Sequence, residues 1–145
     1  MVSSECLEWL RFARMDITAA HDLFTNQQNP RLRPIEVILY HCQQGAEKAL
    51  KAYIIQHRPL TKDLHTHDMQ ILRQACALQD VSFNRSRLIG HCASLDPFSV
   101  VVRYPMHNFP VDSSLAIRSL NSAKRVYNFV CERLVMDKSF FIVSR

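Results

Sequence analysis

Apolar residues recur along this chain at intervals of three and four and almost never at intervals of two, a spacing that predicts helices throughout. Two glycines and six prolines supply little material for hairpin turns, which points to the same all-α class. A first helix is predicted from about Ser4 to Thr25, capped by Ser3 or Ser4, with Trp9, Phe12, Ala13, Ile17, Ala20, Leu23 and Phe24 facing inward. Asp16 interrupts that apolar face. A carboxylate there needs a cationic or hydrogen-bonding partner, because an unpaired buried charge is costly, and its helical angle points toward Lys48 or His41 on the second helix. Residues 26–33 are polar and carry Pro30, so they read as a loop. Pro34 suits the first position of a second helix that runs to about His57 and stops before Pro59.

A third helix is expected to be capped by Thr66, with Asp68 in its first turn where the helix dipole favours negative charge; Met69, Leu72, Cys76 and Leu78 supply its core contacts. A fourth runs from about Asn84 to Leu95, stops at Asp96-Pro97 and holds Arg85 and Arg87 on its outer side. After an irregular segment over 98–110, Asp112 caps a long last helix reaching about Met136. Leu115, Leu120, Ala123, Val126, Tyr127, Val130 and Leu134 form its inward face. Residues 138–145 are expected to form an irregular tail. A chain of 145 residues makes one domain, 1–145, able to bury most of its apolar surface.

Within the second helix, the stretch from Tyr40 to Tyr53 separates two kinds of residue. His41, Gln44, Lys48 and Lys51 fall on one stripe, while Cys42, Gly45, Ala46, Ala49 and Ala52 line the opposite side, where a neighbouring helix can approach closely. An imidazole, an amide and two ammonium groups in a row suit an anion such as phosphate. The same stripe also reads as a solvated face in which Glu47 and Lys51 form an i, i+4 pair.

Composition adds three constraints. The formal charge is +5, and thirteen of the eighteen basic residues are arginine, whose planar fork suits phosphate and stacks on bases; an ordinary basic protein fits as well. Five cysteines are scattered singly at core-facing positions, which reads as small buried hydrophobes in a reducing cytoplasm, neither disulfides nor a zinc site. No apolar run is long enough to span a bilayer, so no membrane association is expected.

Two further segments carry candidate chemistry. In His65-Thr66-His67-Asp68 the two histidines lack a third ligand at a sensible spacing, so helix capping explains the turn and no metal is expected. Arg103-Tyr104-Pro105-Met106-His107 lies on the long connection before the last helix. It reads as a site where an arginine binds phosphate and a histidine moves a proton in a metal-free attack of a ribose 2′-hydroxyl, or as a structural corner. Arg85 and His91 stand six residues apart, about 120° around a helix, which makes them poor catalytic partners.

Four blocks taken in order resemble the HEPN family: Trp9-Leu10-x-x-Ala13-x-x-Asp16-Ile17-x-x-Ala20, then His41-Cys42-Gln43-Gln44-Gly45-Ala46-Glu47-Lys48-Ala49-Leu50-Lys51-Ala52, then Thr66-His67-Asp68-Met69, then Arg103-Tyr104-Pro105. The second block is the most specific. The resemblance implies an antiparallel up-and-down bundle of four to five helices, a homodimer, and a cytoplasmic protein encoded beside a minimal nucleotidyltransferase as a toxin-antitoxin pair, with no cofactor. Many HEPN proteins are metal-independent ribonucleases in which an arginine is followed after four to six residues by a histidine near the last helix. Here three residues separate Arg103 from His107, and one is Pro105. The Arg-Tyr-Pro form resembles a nucleotide-binding branch of the family. It implies a nucleotide or RNA phosphate held by Arg103 and Tyr104 with His41, Gln44, Lys48 and Lys51, and Asp16, Thr66 and Asp68 in structural roles. The alternatives are a ribonuclease toxin with Arg103 and His107 catalytic, and a non-catalytic dimerisation module.

Overall fold

The computed structural model describes residues 1–136 and 140–143. Among these it contains five α-helices and no strand: α1 (Ser4–Asn26), α2 (Ile35–His57), α3 (Met69–Ala77), α4 (Ser86–Leu95) and α5 (Ser113–Arg133). Short 3-10 turns occupy most of the connections, at Pro30–Leu32, Lys62–Leu64, Val81–Asn84, Asp96–Ser99 and Val101–Arg103. The expected irregular tail falls partly outside the described residues; of it, 140–143 are irregular.

Local chemistry sets most boundaries. The Ser3 hydroxyl accepts from the Cys6 amide at the start of α1, and Asp112 accepts from the Leu115 amide at 2.7 Å at the start of α5, each satisfying an orphan donor of a first turn. Pro34 sits one residue outside α2, as its N-cap. The cap of α3 is Asp68 and not Thr66: the Asp68 carboxylate accepts from the Gln70 and Ile71 amides, and the Thr66 hydroxyl accepts from the Asp68 amide at 3.0 Å. A carboxylate reaches two first-turn amides at once and also meets the positive end of the dipole, so it displaces the hydroxyl from the cap.

The most extensive packing in the molecule joins α1 to α2. Gln56, at the end of α2, donates to the Met1 carbonyl and accepts from the Ser3 amide, so the two helices run antiparallel. A β-carbon on Gly45 would lie 2.5 Å from Ile17 Cγ1 and 3.0 Å from the Ala13 carbonyl oxygen, so a glycine is required where the helices touch. The buried stripe of α1 is Cys6, Leu10, Ala13, Ile17 and Ala20. Phe12, expected inside, is 44% exposed, because the stripe is centred one residue, about 100°, away from it. Leu78 also turns outward, since it caps α3 at its C-terminus.

Up-and-down alternation is broken once. Gln43 lies beside Met69 and the Leu50 carbonyl accepts from the Cys76 thiol, so α3 runs in the same sense as α2, and the connection over 58–68 must travel back along the bundle. All five cysteines are free and buried. Burial pushes the Cys6 and Cys131 thiols up to about 11 and Cys92 to about 12, which keeps them neutral. No helix among the described residues is long and apolar enough to cross a membrane.

Candidate functional site

The polar stripe of α2 meets two carboxylates, one from each side. Asp16, on α1, accepts from His41 Nδ1 at 2.9 Å and from Lys48 Nζ at 2.6 Å. Its side chain is only 14% exposed. Burial pushes the Asp16 carboxyl up, but the hydrogen bonds and charges of His41 and Lys48 outweigh it and hold the group below its ordinary value. One turn along, Glu47 is buried and accepts from three donors: His67 Nδ1 at 2.7 Å, Gln43 Nε2 at 3.1 Å and Lys51 Nζ at 3.1 Å. Gln44 donates to Gln43 at 2.7 Å.

This geometry keeps the expected i, i+4 pair of Glu47 and Lys51 but corrects both the solvated face and the open row of donors. Lys51 is not solvated, since its side chain is 9% exposed, and the donors are not an open row awaiting an anion. Each cation is engaged with a carboxylate of the same chain, and Lys48 and Lys51 also lie about 6 Å from the rings of Phe12 and Trp9 (6.0 and 5.9 Å). The network holds α1, α2 and the entry to α3 together.

Arg103 is differently placed. It ends the Val101–Arg103 turn and is exposed, its guanidinium 5.5 Å from the centroid of the Tyr40 ring and 5.8 Å from that of Tyr104. Among the described residues no carboxylate pairs with it. Tyr104 is 61% exposed. Met106 follows in the left-handed region at φ 70°, a conformation that costs a non-glycine residue energy and reverses the chain toward α2.

His107 is the residue that reversal delivers. Its Nε2 lies 3.0 Å from Glu36 Oε2 in the first turn of α2, its side chain is 14% exposed, and Nδ1 is buried without a partner. The hydrogen bond from His107 holds the Glu36 carboxyl below its ordinary value, against a smaller desolvation effect. Among the described residues no hydrogen bond or shared partner joins Arg103 to His107. The expected catalytic pair is therefore divided into an exposed arginine and a histidine that ties the loop to α2; neither ring nitrogen of His107 is open to a ribose hydroxyl without release from Glu36.

Three contributors were missed by sequence reasoning. Glu36 reaches His107 across 71 positions, with no local signal. Tyr40 gave only its place at the edge of the stripe. Glu47 was legible as an i, i+4 partner of Lys51, but not as the acceptor for His67, which depends on the return path of the connection before α3. A family model described as HEPN domain matches residues 6–134, which include every residue discussed in this site. No curated protein and no solved structure matches the chain.

Proposed function

The chain belongs to the HEPN family, and from that premise we propose that it binds the phosphate of a nucleotide or of RNA through Arg103, flanked by Tyr40 and Tyr104. The observation that carries this reading is the contrast between Arg103 and the other cations first considered: it is exposed and, among the described residues, has no carboxylate partner, whereas Lys48 and Lys51 are each held by one. An unpaired guanidinium offers two parallel N–H donors to phosphate oxygens. Tyrosine faces beside it suit a nucleobase, whose stacking contributes roughly 1–3 kcal/mol per base. His41, Gln44, Lys48 and Lys51 support the site from beneath by fixing α2. The protein acts in this reading as a homodimer in the cytoplasm, with a minimal nucleotidyltransferase as its partner in a toxin-antitoxin pair. Ribonuclease action through Arg103 and His107 is disfavoured by the Glu36 contact.

A thermal-shift series with nucleoside mono-, di- and triphosphates and a short RNA tests this. A ligand at a hundredfold its Kd adds about 2.7 kcal/mol to the folded state, which is readily visible in a domain of this size. Arg103→Lys should lose most of that shift with the unliganded Tm unchanged. A shift that survives Arg103→Lys removes the proposal. RNA cleavage without added metal that is abolished by His107→Ala would replace it with the ribonuclease reading.

A further inference from the structure

Beyond the end of α5 the chain turns back on itself at an unfavourable residue. The Met136 amide donates to the Cys131 carbonyl at 2.8 Å and the Val135 amide to the Glu132 carbonyl at 3.1 Å, the paired bonds of a Schellman turn. The left-handed position of that turn is ordinarily glycine. Here it is Val135 at φ 58°, where a β-branched side chain is strained. Something must hold the returning chain in place.

What holds it is Asn128, on α5. Its side-chain amide donates to the Phe141 carbonyl at 2.8 Å, and its side-chain oxygen accepts from the Phe141 amide at 2.6 Å. One side chain thus satisfies both main-chain groups of one residue, the exchange that a neighbouring β-strand would make. The Phe141 ring meets the buried Tyr127 ring edge-on, with centroids 5.0 Å apart, and its centroid lies 4.2 Å from the Arg14 guanidinium. The side chains of 140–143 alternate as on a strand. Phe141 and Val143 are half-buried, Val143 beside Asn128 and Phe129 at the α4–α5 cleft, whereas Phe140 and Ile142 are 40% and 93% exposed. None of this restricts the surface to its own tail. The backbone pair is independent of sequence, and the two inward positions ask only for an aromatic ring followed two residues later by an aliphatic side chain.

We propose that the face of α5 around Asn128, with Tyr127 and Arg14, is a peptide-docking surface for a partner protein that presents an extended aromatic-x-aliphatic segment, and that residues 140–143 occupy it as a displaceable pseudo-ligand. A segment from outside makes the same contacts without requiring Val135 to stay left-handed, so the strain that weakens the tail's own hold favours exchange. Tethering works the other way: it keeps the tail at high local concentration and the surface closed until a partner arrives. The surface uses none of the residues of the Arg103 corner, so either reading can fail without the other.

The test is a fluorescence-anisotropy titration of the full chain with a labelled synthetic peptide spanning residues 138–145, capped at both ends. Phe141→Ala in the protein, which loosens the tail, should lower Tm and strengthen peptide binding at least fivefold. Val135→Gly, which removes the strain, should do the reverse on both counts, raising Tm and weakening binding at least fivefold. Adding Asn128→Ala to the Phe141→Ala protein should abolish binding, and so should placing alanine at the Phe141 position of the peptide. A tail with a purely structural role also predicts the two Tm changes, but no binding in any variant. Absence of binding to the Phe141→Ala protein at millimolar peptide therefore overturns the proposal, as does binding that survives Asn128→Ala. Self-association of the parent chain that Asn128→Ala abolishes would make a second copy the occupant and overturn the assignment to a separate partner.

Discussion

The seam between α1 and α2 and the corner around Arg103 use the same kinds of residue to opposite ends. In the seam, two lysines and two histidines converge on Asp16 and Glu47, and every ammonium has a carboxylate within 3.1 Å. At the corner, one arginine stands over two tyrosine rings with no such partner among the described residues. Residue type alone therefore does not decide whether a basic group serves the fold or a ligand. What decides it is whether the fold brings an acid within reach: a paired, desolvated cation is spent on structure, and an exposed unpaired one still has its binding free energy to give.

Substitutions that strip the seam of its acids should have the largest effects on stability. Glu47→Ala leaves the Lys51 ammonium buried with its carboxylate gone, and should cost about 4 kcal/mol in chemical denaturation. Asp16→Ala strands Lys48 and His41 in a less buried setting and should cost about 3 kcal/mol. If either loss is below about 1 kcal/mol, the seam is no more structural than an ordinary surface pair.

The Asp16 carboxyl also predicts a pH dependence. Its folded value lies below its unfolded one, so the unfolded chain binds the proton more readily and the stabilisation is complete above about pH 4. It should be lost as pH falls through the depressed folded value. Asp16→Asn should flatten that part of the acid-unfolding profile, and an unchanged profile would mean that the pairing contributes little.

A smaller effect is expected at the close approach that positions the seam. Gly45→Ala gains roughly 1 kcal/mol of helix propensity but forces a β-carbon into Ile17 and the Ala13 carbonyl, an overpacking cost of about 1–3 kcal/mol. The backbone oxygen yields less readily than a side chain would, so a net loss of about 1 kcal/mol is expected. Arg103→Ala should be the mildest, within about 0.5 kcal/mol of the parent protein, because nothing buried depends on it.

The bundle was legible in the sequence because apolar spacing reports burial directly; the extents of α1, α2 and α5 follow from it to within a few residues. The partner of Asp16 was legible too, since one carboxylate on an apolar face faces few candidate donors. Other features depended on tertiary context. Phe12 and Leu10 stand about 200° apart around α1, so only one of them can face inward, and the contact with Gly45 fixes which way the helix turns. Thr66 and Asp68 are both good caps, and the choice rests on which side chain reaches two amides. The stripe of α2 looked open because one neutralising acid comes from another helix and the other, at the edge of the same helix, is turned into the core. The tie between His107 and Glu36 follows from the left-handed turn at Met106, which no local pattern announces.

Whether the seam cations hold the fold while Arg103 holds the ligand is decided by one fluorescence-anisotropy titration with a labelled short RNA, run in parallel on Arg103→Ala and Lys48→Gln with their melting temperatures. Arg103→Ala should weaken binding at least tenfold, about 1.4 kcal/mol or more, with Tm unchanged, and Lys48→Gln should lower Tm while the folded protein keeps its affinity. The opposite assignment, affinity lost with Lys48 and retained without Arg103, would contradict it.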